Sequence, residues 1–170
     1  MVKAIMHGCN GKMGQVISNL TAADSDIEIV AGIDPHDDGH NAYPVYRSIF
    51  ECGIDADVII DFAAAGAVNN LLDYAVKKKV PVVLCTTGLS PEQLDKVEEA
   101  AKEVAVLKSA NMSLGINTLF KVLADVSPLL SAAGFDIEIV EKHHRLKVDA
   151  PSGTALALAD SINAANDNKY

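Results

Sequence analysis

The sequence predicts an α/β fold built on a doubly wound parallel sheet. Three observations carry that prediction. Short apolar runs alternate with helical patterns from Lys3 to Leu107. The first run flows directly into the glycine-spaced turn Gly8-Cys-Asn-Gly-Lys-Met-Gly14. Aliphatic residues are plentiful while aromatics make up only 5% with no Trp, which suits buried parallel strands. A chain of 170 residues suits one domain, or one domain plus part of another. At this length folding removes about 70% of the unfolded surface, enough for a real core.

Each element follows from its pattern. Lys3 to His7 reads as a short buried strand, and a helical pattern follows through Gln15, Val16, Ile17 and Leu20. Ile27 to Ile33 alternates and then turns wholly apolar, a second strand that stops at Asp34-Pro35. His36 to His40 is polar and reads as a loop. Asp57 to Asp61 is a third apolar strand. From Ala67 to Lys78, residues Val68, Leu71, Leu72, Ala75 and Val76 share one helical face. Val80 to Leu84 is the next strand, and Thr86-Thr87-Gly88 forms a loop at its carboxyl edge. Ser90 caps a helix with Pro91 at its first position, running to about Glu103. Val104 to Leu107 is another short strand, ending in Ser109-Ala-Asn-Met112. Alternation at these spacings implies right-handed βαβ crossovers. Leu114 to Leu130 is a longer helix, Asp136 to Glu141 alternates as a strand, and Ala155 to Ala165 is a final amphipathic helix. A division into a dinucleotide-binding domain over 1–114 and the beginning of an α+β substrate-binding domain over 115–170 is expected.

Composition excludes several classes. Fourteen basic against twenty-three acidic residues, a net charge of −9, argue against nucleic-acid or anionic-membrane binding. His7 and Gly8 interrupt any secretory apolar stretch, and no run approaches a membrane span. Cys9, Cys52 and Cys85 are odd in number and lack metal-ligand spacing, so a reduced, cytoplasmic setting without a metal is expected.

Gly8, Gly11 and Gly14 follow a strand and open a helix, a variant of the Rossmann fingerprint with Asn10 at the middle glycine position. Small residues let the backbone approach a pyrophosphate, whose charge is met by free N–H groups at the helix start. Asn tolerates a left-handed backbone better than most residues, so Asn10 is compatible with the turn. Asp34 ends the second strand twenty residues after Gly14, where a ribose-binding carboxylate belongs. The alternatives are a tight turn whose glycines serve packing only, and an Asp34 that merely caps a turn. A carboxylate followed by Pro35 repels a 2′-phosphate and favours NADH, while Lys12 and His36 leave NADPH open. Thr86-Thr87-Gly88 and Ser109 to Met112 end later strands and are candidates to flank the nicotinamide.

The segment Glu141-Lys-His-His-Arg-Leu-Lys-Val-Asp-Ala-Pro-Ser-Gly-Thr154 places two imidazoles and three cations beside a turn that opens a helix. In an acidic chain that density points to an anionic ligand. His143, His144 and Lys147 can supply protons near neutral pH. Pro151-Ser-Gly-Thr154 offers backbone N–H groups to an anion, with Ser152 or Thr154 capping the helix. The set suits binding a dicarboxylate and protonating it after hydride arrives. A solvated basic hairpin before a capped helix is the alternative. Adjacent histidines on a strand point to opposite faces, which disfavours zinc.

These residues carry a resemblance. Gly8 to Gly14, Asp57-Val-Ile-Ile-Asp-Phe62, Thr86-Thr87-Gly88, Ala110-Asn111 and above all Glu141 to Ala155 resemble dihydrodipicolinate reductase, in order along nearly the whole chain. The resemblance implies nicotinamide-dependent reduction of 4-hydroxy-tetrahydrodipicolinate to tetrahydrodipicolinate, in bacterial diaminopimelate and lysine synthesis. It implies His143 as the principal acid/base residue and Lys147 as proton donor. His144, Gly153 and Thr154 would bind the substrate carboxylates. Gly8, Cys9, Asn10, Gly11, Lys12, Met13, Asp34, Cys85, Thr86, Thr87, Ser109, Ala110, Asn111 and Met112 would hold NADH or NADPH.

Cys85 stands where the family usually has Gly, and Met112 where it often has Phe. The family's chain also continues past the last helix, through further strands that build a homotetramer. The 170-residue chain is therefore expected to be incomplete, with its 136–141 strand exposing an edge, and to be poorly active or prone to associate by itself. Two other readings stand beside this one: a different Rossmann oxidoreductase, and a dinucleotide-binding module without catalysis, which has no need of His143 and Lys147 together.

Overall fold

The computed structural model describes residues 1–170 except Asp38, Leu146, Val148 and Asp149. The chain divides into two compact units, Met1–Ser109 and Ala110–Tyr170.

The first unit is a parallel sheet with helices between its strands. Its elements are β1 (Val2–His7), α1 (Lys12–Thr21), β2 (Ile27–Ile33), β3 (Val45–Tyr46), β4 (Val58–Asp61), α2 (Val68–Lys78), β5 (Val82–Leu84), α3 (Pro91–Ala101) and β6 (Val106–Lys108). The strand order is β3-β2-β1-β4-β5-β6, and every pairing is parallel. The order reverses between β1 and β4, which opens a crevice at their carboxyl ends. β3 has two residues and no alternation, so its sequence carries no strand signal.

Neighbouring strand residues face opposite sides of the sheet. On one side Ile5, Ile33, Ile59, Val82 and Leu84 pack with Leu71, Leu72 and Ala75 of α2 and with Val97 and Ala100 of α3. On the other, Met6, Ile29 and Cys9 pack with Ile17 of α1, Tyr43 and Val45. Helix boundaries follow local chemistry. Ser90 and Gln93 complete a reciprocal capping box at α3. Lys79, left-handed at φ 56°, closes α2 by donating its N–H to the last turn. Lys96 pairs with Asp73 at 2.7 Å, joining α3 to α2.

The second unit holds α4 (Leu114–Ala132) and α5 (Gly153–Ala165). Ser161 Oγ donates to Phe120 O, and Asn166 Nδ2 donates to Ser127 Oγ at 2.9 Å, stitching the two helices together. The expected strand Asp136 to Glu141 is absent, since these residues carry no ladder. Alternation supplies a face, but a strand also needs a hydrogen-bonding neighbour. No other described segment of this unit forms one, so the expected α+β character is not seen among the described residues. Val140 accordingly stays 78% exposed.

Gly14 sits inside α1 where a side chain cannot fit. A Cβ there would lie 2.6 Å from Cys9 O and closer still to Gly8 O. Gly14→Ala is expected to destabilise the protein by about 1–3 kcal/mol, the usual cost of overpacking, read as a lowered denaturation midpoint.

Candidate active site

One group of the residues expected to be functional lies at the carboxyl end of β1. Gly8 adopts φ +81° and donates its N–H to Ile33 O at 2.8 Å. A Cβ at Gly8 would meet Phe62 O at 2.7 Å, so main chain rather than side chains fills the turn. Gly11 is the N-cap of α1 without any side-chain cap, and the first turn carries no acid. The opening N–H groups of that helix are thus left to an anion. The left-handed residue of this turn is Gly8, and Asn10 lacks a positive φ. Asn10 serves through its side chain instead. Its Nδ2 donates to His36 O, and its Oδ1 accepts from Asn41 Nδ2 at 2.6 Å. Gln15 Nε2 donates to Cys9 O at 2.9 Å and lies 3.1 Å from Asn41 Oδ1.

Asp34 sits beside this loop. Its Oδ2 accepts the Asn10 N–H at 3.2 Å and its Oδ1 accepts the His36 N–H at 3.0 Å. The carboxylate is therefore oriented by two backbone donors, and each oxygen keeps a further lone pair for a ligand hydroxyl. Cys9 and Cys85 are buried thiols, each pushed up to about 11 chiefly by burial, with Asp34 raising Cys9 and Asp61 raising Cys85. Both remain protonated and unreactive at neutral pH. Thr86 is buried with its hydroxyl on Asp61, while Thr87 is exposed. Ser109 closes the unit, its N–H donating to Leu84 O at 3.1 Å.

A second group lies within the Ala110–Tyr170 unit. Asn111 Nδ2 donates to Thr154 Oγ1 at 3.1 Å, so a residue expected at the cofactor meets one expected at the substrate. Asn111 Oδ1 accepts the Ser113 N–H, which orients the side-chain amide, and the Asn111 main-chain O accepts Asn117 Nδ2. Ala110 and Met112 are exposed beside it. Ser152 is the N-cap of α5, its Oγ accepting the Ala155 N–H at 3.1 Å, so the cap is Ser152 and not Thr154. Gly153 begins the helix.

Glu141 organises the basic segment. One carboxylate oxygen lies 2.7 Å from His143 Nε2 and the other accepts the Ser152 N–H at 2.8 Å. The bonds to Ser152 and then His143 bring Glu141 down to about 2. His143 and His144 are exposed, Lys147 is half-buried, and the Lys147 N–H donates to His144 O. Leu146, Val148 and Asp149 of the motif lie outside the described residues. Sequence reasoning missed Glu141 as an anchor. The signal was present, because an acid opens the densest cationic run of the chain. It also missed His7 and Asp61, polar residues that end neighbouring strands.

A six-stranded parallel sheet in this order, entered through a glycine turn, places the chain in the Rossmann class. Models of dihydrodipicolinate reductase match in both parts, the N-terminal one over residues 2–112 and the C-terminal one over 115–170. The chain belongs to the dihydrodipicolinate reductase family. It is 52% identical over 163 residues to the 4-hydroxy-tetrahydrodipicolinate reductase of Caldanaerobacter subterraneus subsp. tengcongensis, covering 96% of this chain and 64% of the relative. The enzyme of the same name from Clostridium novyi is 51% identical over 95% of this chain and 64% of its own. The chain thus spans about two thirds, 64%, of the length of these relatives. The dipicolinate-bound dihydrodipicolinate reductase from Paenisporosarcina sp. TG-14 superposes with a TM-score of 0.76 at 28% identity, over 98% of this chain and 67% of that one.

Glu141 generates a pH prediction. Its folded value lies below the ordinary 4.5, so its anchoring is present above that value and is lost as pH falls from about 4.5 toward 2. The protection factor of the Ser152 amide, the observed exchange rate divided into the intrinsic rate at the same pH, is expected to fall across that window, and in Glu141→Gln, which does not titrate there, to stay constant across it.

Proposed function

We propose that this chain is the dinucleotide-binding domain, with the beginning of the substrate-binding domain, of a reductase that converts 4-hydroxy-tetrahydrodipicolinate to tetrahydrodipicolinate. The Asn111–Thr154 hydrogen bond carries this reading, since it joins the strand-end segment expected at the nicotinamide to the turn expected at the dicarboxylate. The glycine turn fits a dinucleotide, because Gly8 and Gly14 leave no room for side chains and the uncapped α1 presents free N–H groups. Gly8 to Met13 with Asp34 would hold the adenosine and pyrophosphate portions, and Cys85 to Thr87 with Ser109 to Met112 the nicotinamide.

The reduced nicotinamide supplies a hydride to the unsaturated ring. His144, Gly153 and Thr154 bind the ring's carboxylates, two of them at the start of α5, where backbone N–H groups favour negative charge. Lys147 delivers a proton, and His143, held by Glu141, serves as the acid/base residue. The overall balance is one hydride and one proton added and one water lost. The cations of the segment stabilise negative charge on the ring, a contribution of several kcal/mol in comparable sites. The natural setting of this reaction is the cytoplasm, consistent with the free thiols Cys9, Cys52 and Cys85. The assembled enzyme is a homotetramer in this reading.

His143→Ala and Lys147→Ala are each expected to lower kcat by about 100-fold or more, the scale of general acid–base catalysis. The NADH dissociation constant should stay nearly constant. Steady-state oxidation of NADH with freshly generated dihydrodipicolinate synthase product, in a chain extended to the length of its relatives, beside a fluorescence titration, measures both. Unchanged turnover in both variants removes the catalytic assignment.

Asp34 and Pro35 support NADH as the preferred cofactor. The carboxylate oriented by Asn10 and His36 suits a ribose diol and opposes a 2′-phosphate. The expected kcat/KM is higher with NADH than with NADPH, and Asp34→Asn narrows the gap. Equal or better kcat/KM with NADPH contradicts this preference.

A further inference from the structure

His7, Asp61 and Thr86 are buried polar side chains gathered beneath the turn. They stand at the carboxyl ends of β1 and β4 and just beyond β5, three adjacent strands. His7 is in register with Asp61, and Asp61 with Leu84. Asp61 is fully buried, at 0% exposure. Its Oδ1 lies 2.6 Å from His7 Nδ1 and 3.3 Å from the donating Ala63 N–H. Its Oδ2 accepts the Thr86 hydroxyl at 2.6 Å. That hydroxyl is also 2.9 Å from Ala63 O.

With donors on both oxygens, Asp61 acts as an acceptor, so the hydrogen on His7 belongs on Nδ1. The other ring nitrogen, Nε2, has no partner among the described residues. Buried polar atoms among those residues all have partners, so Nε2 is an atom that water reaches.

A histidine at the buried end of a central strand is costly where an apolar residue would pack. Stability alone is a weak reason to keep it, because replacing a buried polar set by apolar groups of similar shape is often neutral. Location supplies a better reason. The His7 carbonyl accepts the Phe62 N–H at 3.0 Å, and Gly8 packs against the Phe62 and Ala63 main chain. The cluster therefore sits where the glycine turn, the 62–63 segment and the 85–87 segment converge.

We propose that His7 is a positioning residue for the dinucleotide cradle, acting through Asp61 to hold Thr86 and the Ala63 main chain against the glycine turn. This rests on the reading of the first unit as a nicotinamide dinucleotide site. The residue works from beneath the cradle, and Asp61 transmits its effect to the 85–87 segment.

NADH affinity by fluorescence titration, taken with melting temperature, tests this in five variants: three single substitutions of His7, Thr86→Val, and one double variant. An Asn side chain presents an amide nitrogen where Nδ1 sits, whereas Gln presents one where Nε2 sits. His7→Leu and His7→Gln are expected to weaken NADH binding by about tenfold, the scale of a lost buried bond to a charged group. His7→Asn should retain near wild-type affinity. Thr86→Val added to His7→Gln should cost less than the two single losses combined, because both break one network. If His7→Leu fails to fold, the polar Gln and Asn variants still decide the matter. Wild-type affinity in His7→Gln overturns the proposal, as does equal weakening in Gln and Asn variants that track melting temperature alone. A wild-type protein that binds neither NADH nor NADPH overturns the cofactor reading and this proposal together. Normal wild-type binding with unaffected His7 variants overturns the proposal alone.

Discussion

At the end of β1 the main chain approaches other main chain so closely that no Cβ can intervene. Gly8 meets Phe62 O, and Gly14 meets the Cys9 carbonyl. Much of the first unit depends on that contact. It sets how α1 leaves the sheet, how β1 sits against the segment after β4, and where the open N–H groups of α1 point. A side chain at either glycine would force the helix away from the strand. The loop would then lose the hydrogen bonds of Asn10 to His36 and Asn41, and Asp34 would lose the Asn10 N–H that orients it.

Charge organises the second unit in a comparable way. A net charge of −9 makes the cationic run after Glu141 an exception within its own chain. Glu141 joins the run to α5 by holding His143 on one oxygen and the Ser152 N–H on the other. The same Ser152 caps the helix that carries Thr154, and Thr154 in turn holds Asn111. One carboxylate thus places imidazole, helix start and amide in a single connected arrangement. Its low proton affinity is a consequence of those bonds.

The strands of the first unit were legible because each is a short apolar run bounded by turn residues. β3 was not, since two residues in register with Gly32 and Ile33 hold no periodicity of their own. The 136–141 segment shows the opposite failure. Its alternation is genuine, yet pairing is a relation between segments, and no described neighbour provides it. Among the candidate site residues, Asp34 and the glycines were proposed from spacing, and the 141–154 motif from its density of cations. Asn10 was read as a residue that tolerates a left-handed backbone, but its backbone is ordinary and its amide makes the contacts. His7 was noticed only as a break in an apolar run. Its partner Asp61 lies fifty-four residues away and becomes a neighbour through parallel pairing of β1 with β4.

The sequence by itself determined the fold class, the position of the glycine turn, the acid at the end of β2, and the family to which the chain belongs. These are properties of local pattern and spacing, which each segment carries whatever its surroundings. Only the tertiary structure decided which side chains act on one another. It brought His7, Asp61 and Thr86 into one buried cluster, gave Asp34 its backbone donors, chose Ser152 over Thr154 as the cap, and set Glu141 between His143 and α5. The physical reason is that a hydrogen bond acts over about 3 Å, and only folding brings groups distant in sequence within that reach.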